Sequence, residues 1–178
     1  MTEPREAIAL GIDPGLRATG FCALGDRTYA LATDTRPKAQ EKTHIARLCC
    51  LEDAAREWVR EYRPCVVVLE EQCSMRGNAA VQEKVFAALA MGCRRGFQDA
   101  GIEEPLFLVI APSSVKKYLT GSGNAQTWQV VDALIELYGK QHPDLAEVGE
   151  DAVMAYGMAR IGLLVAGGDE TLPVRELS

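Results

Sequence analysis

An apolar run that ends on one carboxylate constrains this chain more than any other segment. Residues 7–12 are apolar or glycine, Asp13 follows them, and Pro14 and Gly15 break the pattern before a second apolar run begins at Phe21. This order predicts a β-hairpin whose first strand is buried and ends on an acid. Because a buried carboxylate is costly unless it is paired or bound to a metal, the segment predicts that other groups meet Asp13.

Composition indicates a globular protein of one domain, residues 1–178, with a loose tail at about 168–178. Of the 178 residues, 48% are hydrophobic and 25% are charged, which is enough for a core and argues against global disorder. The N-terminus is polar and no stretch approaches the roughly 20 apolar residues of a membrane span, so we expect a cytoplasmic protein without a membrane partner. The net charge of −6 argues by itself against a nucleic-acid partner, although metal-binding carboxylates would lower the net charge without repelling DNA once metal is bound.

Periodicity predicts three strands, then a helix, and then strands alternating with helices. Such an order predicts an α/β fold with a five-stranded mixed sheet and helices on both faces. The predicted strands span residues 7–12, 18–24, 28–33, 65–69 and 106–110, and the predicted helices span about 43–62, 78–100, 112–119, 124–138 and 147–165.

Acids recur at the ends of these predicted elements. Glu70 follows the apolar strand at 65–69, and Asp151 lies near the start of the final helix, where Glu147 would share its face at a spacing of four residues. Converging carboxylates suit Mg²⁺ or Mn²⁺, and two such ions would clamp the attacking and leaving oxygens of a phosphodiester.

Each acid also has a plainer interpretation. Asp13 is equally suited to capping a turn, and Glu71 is an alternative ligand to Glu70. The acids at 147, 150 and 151 are also the residue type favoured at any helix N-terminus.

The segments around these acids resemble the RuvC family of Holliday junction resolvases. The similar segments are GIDPGLRATG at 11–20, VLEEQ at 68–72, PSSVKKYLTGSGNA at 112–125 and EDAVMA at 150–155. The resemblance implies an RNase H-like fold and a homodimer that cuts four-way DNA junctions with bound Mg²⁺ or Mn²⁺, in a bacterial or phage-infected cell. It implies that Asp13, Glu70 and Asp151 bind metal and that Lys116 lies near the cleaved DNA.

The resemblance also has consequences for the loop at 72–78, where that family carries an apolar residue that wedges into the junction. Met75 is the apolar candidate here, and Arg76 and Lys117 are candidates for phosphate contact.

Two positions depart from the family pattern. Val148 stands where the family usually has an acid, so the fourth acid is Glu147, Glu150 or none; we expect Glu147 to reach the metal. Thr127 stands where the family usually has a second lysine. These departures leave two alternatives open, namely a broader branched-DNA nuclease of the same fold and an inactive RNase H-like DNA-binding module. An actin-like kinase fragment is less favoured, because no second phosphate-binding hairpin is present in the sequence.

Overall fold

The sheet runs through the whole described part of the chain. A computed structural model describes residues 6–35, 44–71, 79–169, 171–172 and 174–177. The strands are β1 (Ala9–Asp13), β2 (Ala18–Leu24), β3 (Tyr29–Thr35), β4 (Val66–Glu70), β5 (Leu106–Ile110) and β6 (Val174–Glu176). The helices are α1 (His44–Tyr62), α2 (Ala79–Ala100), α3 (Pro112–Thr120), α4 (Thr127–Tyr138) and α5 (Glu150–Ala166), with a 3₁₀ helix at Pro143–Ala146.

The strands form one mixed sheet in the order β3-β2-β1-β4-β5-β6. The first three strands form an antiparallel meander, β1, β4 and β5 are parallel, and β6 is antiparallel to β5. The parallel strands are joined through helices, as parallel pairing requires. The carboxyl ends of β1, β4 and β5 therefore lie at the same edge of the sheet.

Successive side chains of the central strands enter two different cores. Val67 and Leu69 of β4 pack with α1 and α2, whereas Val66 and Val68 pack on the other face with α3, α4 and α5. A strand buried on both faces is read from the sequence as an unbroken apolar run, which is what β4 shows. The helices therefore lie on both faces of the sheet, as predicted.

Glycines allow α5 to approach the sheet closely. A Cβ at Gly11 would lie 2.1 Å from the Ala155 carbonyl oxygen, and a Cβ at Gly20 would lie 1.9 Å from the Asp151 carbonyl oxygen. Any larger side chain at these two positions would force the helix away from β1 and β2. The N-terminal turn of α5 is thus seated directly on the strand next to Asp13.

The structure corrects the predicted strand count and the predicted tail. The described sheet has six strands rather than five, because Val174–Glu176, which was predicted to belong to a loose tail, pairs with β5. A three-residue strand has too little periodicity to be recognised in a sequence, since its pairing depends on a distant partner.

The structure also corrects the start of the final helix. Glu147 ends the 3₁₀ helix, Gly149 is the N-cap, and α5 begins at Glu150 rather than at 147. Glu147 and Asp151 therefore do not share a helix face, and the side chain of Glu147 is exposed. No helix in the described ranges is long and apolar enough to span a membrane.

Candidate active site

Two carboxylates meet at the carboxyl ends of β1 and β4. These parallel strands pair in a register that places Ile12 beside Leu69, so the next residues, Asp13 and Glu70, leave adjacent strands side by side. Both side chains point to the face covered by α5, since Ile12 and Leu69 occupy the opposite core. A hydrogen bond joins the two carboxyl groups.

The third acid comes from α5. Gly20 pairs with Asp13 across β1 and β2, and the backbone of Asp151 lies against Gly20. Asp151 is therefore held above the same edge, close enough for its negative charge to raise the pKa of Asp13. All three acids remain half-buried, so the cluster is open to solvent on one side.

Burial and mutual repulsion dominate the electrostatics of this cluster. Burial raises the pKa of Asp13 well above its usual range, and the neighbouring charges of Glu70 and Asp151 raise it further. Burial also raises the pKa of Asp151, assisted by the charge of Glu150. The protonated Asp13 thus donates its proton to Glu70, which is how crowded carboxylates coexist without a cation.

Lys116 supplies a positive charge to the cluster. Burial raises the pKa of Glu70, but the hydrogen bond from Asp13 and the charge of Lys116 oppose that rise. Lys116 lies on α3, whose N-terminus follows β5 at the same edge of the sheet, and it is half-buried. The adjacent Lys117 is exposed on the next position of the helix, and its predicted contact with phosphate stays a prediction.

The structure distinguishes Glu70 from Glu71, which the sequence left as alternatives. The backbone N–H of Glu71 donates to the Ile110 carbonyl, and its carboxylate accepts a hydrogen bond of 2.8 Å from Arg175 of β6. Glu71 therefore turns toward β6, whereas Glu70 joins Asp13. The alternation of side chains along a strand explains why only one of two adjacent acids enters the cluster.

The remaining candidates lie outside the cluster or outside the described residues. Glu147 and Glu150 are both exposed, and of these two only Glu150 acts on the pKa of Asp151. Met75 and Arg76 fall in residues 72–78, which lie outside the described part of the chain.

The donor set fits a hard divalent cation in its chemistry. Carboxylate oxygens are the ligands that Mg²⁺ and Mn²⁺ prefer, and three carboxylates crowded at raised pKa values gain most from a cation. Within the described ranges no three acidic, histidine or cysteine side chains already form a coordination group. The Asp13–Glu70 hydrogen bond accounts for this, because each carboxyl group occupies an oxygen that a cation would need.

Two buried polar residues near the site were not singled out from the sequence. Arg47 of α1 is only 2% exposed, and Thr19 of β2 is fully buried. Both bind the loop that follows Asp13. A signal existed for Arg47, since it lies four residues before the buried Leu51, in register with the apolar stripe, whereas the apolar Ile45 is 73% exposed.

Comparison with known proteins gives a consistent result. The model of the family described as crossover junction endodeoxyribonuclease RuvC matches residues 9–155. A protein of that name from Ralstonia nicotianae is 32% identical over 169 residues, covering 92% of this chain and 85% of the relative. Another from Nitrobacter hamburgensis is 28% identical over 171 residues, covering 89% and 95%.

Solved structures agree on the fold. The Thermus thermophilus RuvC structure has a TM-score of 0.68 at 20% identity, covering 96% of this chain and 99% of that chain. The structure of T. thermophilus RuvC in complex with Holliday junction substrate has a TM-score of 0.67 at 19% identity, with the same coverage. The RNase H-like, mixed α/β architecture predicted from the sequence is confirmed.

Proposed function

Because the chain belongs to the RuvC family of crossover junction endodeoxyribonucleases, we propose that it resolves four-way DNA junctions by hydrolysing one phosphodiester in each of two strands. The observation that carries this proposal is the cluster of Asp13, Glu70 and Asp151 at one open edge of the sheet. Its position supports a hydrolytic site rather than a structural acid pair, since structural carboxylates are normally compensated by the protein itself.

We propose Asp13, Glu70 and Asp151 as the residues that hold Mg²⁺ or Mn²⁺, with two ions at each site. A divalent cation supplies Lewis-acid polarisation of the phosphate and helps to generate the attacking hydroxide. Lys116 would place its ammonium against the negative charge that develops on the cleaved phosphate, which is the role its proximity to Glu70 supports. Glu147 stays a candidate fourth acid, although the helical spacing that suggested it is absent.

We further propose that the active unit is a homodimer. A four-way junction has two symmetric strands to cut, and a two-fold dimer presents two identical sites to them. Sedimentation of the chain alone tests the oligomeric state. A mixed dimer of native and Asp13→Asn chains should nick only one strand of each junction.

The experiment that tests the function compares three labelled DNA substrates with Mg²⁺ or Mn²⁺. A synthetic four-way junction should receive paired symmetric nicks, whereas a linear duplex and a flap should remain intact. Cleavage of all three would indicate a broader branched-DNA nuclease. Binding of the junction without any cut in either metal would indicate an inactive DNA-binding module.

A further inference from the structure

The loop that connects β1 to β2, residues 14–17, is anchored by a buried cation. Arg47 of α1 donates from Nη2 to the Arg17 carbonyl at 3.0 Å and to the Asp34 carbonyl at 3.2 Å, and from Nε to the Leu16 carbonyl. A buried guanidinium is costly unless its donors are satisfied, and here backbone oxygens satisfy them. Arg47 thereby ties this β1–β2 loop to β3.

Thr19 anchors the same loop from the other side. Its hydroxyl donates to the Gly15 carbonyl at 2.7 Å and accepts from the Gly15 N–H at 3.3 Å. Three consecutive carbonyls, at residues 15, 16 and 17, are therefore directed at two buried side chains. The loop is held from inside the protein at each of these peptides.

This anchoring determines what the loop presents outward. No cis peptide occurs in the described residues, and in a trans peptide the C=O and the next N–H point in opposite directions. The N–H groups of Arg17 and Ala18 consequently point away from Arg47, and the Arg17 side chain is exposed. Successive outward amides beside a guanidinium are suited to a phosphate oxygen.

The location of the loop gives this arrangement its meaning. The loop begins directly after Asp13, so Arg17 lies at the edge of the sheet that carries the acid cluster. Phosphodiesters are repelled by a chain with a net charge of −6, and they need local positive charge to approach that edge.

We propose that the β1–β2 loop binds a DNA backbone phosphate adjacent to the scissile one, with Arg17 as the contacting residue and Arg47 as the residue that positions it. This proposal rests on the proposed junction cleavage and adds a binding element to that site. Arginine suits the role because its planar guanidinium forms paired hydrogen bonds with phosphate oxygens.

A matched control exists on the same hairpin. Arg27 is also exposed, but it lies in the turn between β2 and β3 at the opposite end of the sheet, beside the carboxylate of Glu6. Arg17→Gln and Arg27→Gln remove the same charge from the protein. A difference between them therefore reports position rather than net charge.

The test measures binding of a fluorescent four-way junction by anisotropy in EDTA, where no strand is cut, at several salt concentrations. Arg17→Gln should weaken binding about tenfold and reduce the slope of log K against log[salt] by about 1, as expected for one lost phosphate contact. Arg27→Gln should leave the slope unchanged, and Arg17→Lys should retain most of it. Equal slopes for Arg17→Gln and Arg27→Gln would overturn the proposal.

The positioning role is tested by non-additivity. Arg47→Lys should weaken junction binding in the native background and add little to Arg17→Gln, because both changes remove the same contact. Thr19→Val provides a second test of the anchoring, should Arg47→Lys not fold. Equal losses in both backgrounds for the folded variant would assign a purely structural role and overturn the positioning.

The two proposals fail in different ways. If the native chain neither binds nor cuts the junction, the proposed function is wrong. If the native chain binds and cuts it while Arg17→Gln behaves as Arg27→Gln, only the role of the loop is wrong.

Discussion

The two ends of the sheet treat their carboxylates in opposite ways. At the end formed by the β2–β3 turn, Glu6 accepts hydrogen bonds from the N–H groups of Arg27 and Thr28 and from the Thr28 hydroxyl, and these bonds lower its pKa. At the other end, burial raises the pKa values of Asp13, Glu70 and Asp151. The chain satisfies the first acid with its own donors and leaves the other three to share a proton.

This difference separates a structural carboxylate from a functional one. Glu6 is complete within the protein, since its hydrogen bonds fasten the N-terminal segment to the turn. The cluster around Asp13 is incomplete, and a cation from solution would relieve its repulsion. Acids that stabilise a fold and acids that wait for a ligand can therefore be told apart by the sign of their pKa shifts together with their partners.

The largest expected effect breaks the comparison at its centre. Asp13→Asn should lower the rate of junction cleavage by roughly 10³-fold or more, because it removes a carboxylate shared by the whole cluster. Glu6→Gln is the matched change at the other end and should leave cleavage within about twofold. Single-turnover cleavage assays measure both. Equal rates for the two variants would remove Asp13 from the catalytic set.

The adjacent lysines of α3 give the next effect. Lys116→Gln should reduce the cleavage rate by about 10²-fold, since its charge acts on Glu70 and on the transition state. Lys117→Gln, one residue along the helix and exposed, should alter the rate by less than about threefold. A reversal of this order would place Lys117 rather than Lys116 at the scissile phosphate.

The close contact between α5 and β2 gives a structural prediction. Gly20→Ala should destabilise the protein by about 2 kcal/mol or more and lower cleavage, because a Cβ there would collide with the Asp151 carbonyl. Gly149→Ala should cost less than about 1 kcal/mol, since its Cβ would meet Thr33 at 3.7 Å and its φ is −70°. Urea denaturation measures both free energies of unfolding.

The pH dependence of stability should differ in sign between the two ends. In EDTA, the raised pKa of Asp13 makes its contribution full below the unfolded pKa and lost as pH rises through the folded value. Asp13→Asn should therefore flatten the fall in stability with rising pH. Glu6 has a lowered pKa, so its contribution is present above the unfolded pKa and lost as pH falls through the folded value.

The same denaturation experiment extends to metal. Saturating Mg²⁺ or Mn²⁺, at about 100 times its Kd, should raise the free energy of unfolding by about 2.7 kcal/mol in the native chain. It should raise that of Asp13→Asn much less. An equal increase in both would place the cation elsewhere.

The smallest expected effect concerns Glu147. Glu147→Gln should change the cleavage rate by less than about tenfold, because the residue is exposed and precedes α5. Glu150→Gln, at the first position of α5, is the control. A loss as large as that of Asp13→Asn would instead establish Glu147 as the fourth acid.

Much of the fold was predictable because local patterns carry it. Apolar runs located the five longer strands, and Pro64 and Gly101 marked helix ends to within a residue. The prediction was wrong where the pattern was short or continued past a boundary. β6 has three residues, and the acids at 147–151 read as one helix although Gly149 separates them into two elements.

The sequence by itself determined that acids end the strands at 13 and 70 and begin a helix near 151, because strand and helix periodicities are local properties of the chain. Only the tertiary structure decided that Glu70 rather than Glu71 joins Asp13, since that choice depends on the β1–β4 register and on Arg175 from β6. It also decided that Arg47 is buried beneath the β1–β2 loop. The physical reason is that a buried charge or a paired carboxylate is defined by partners far away in sequence, which meet only when the sheet is assembled.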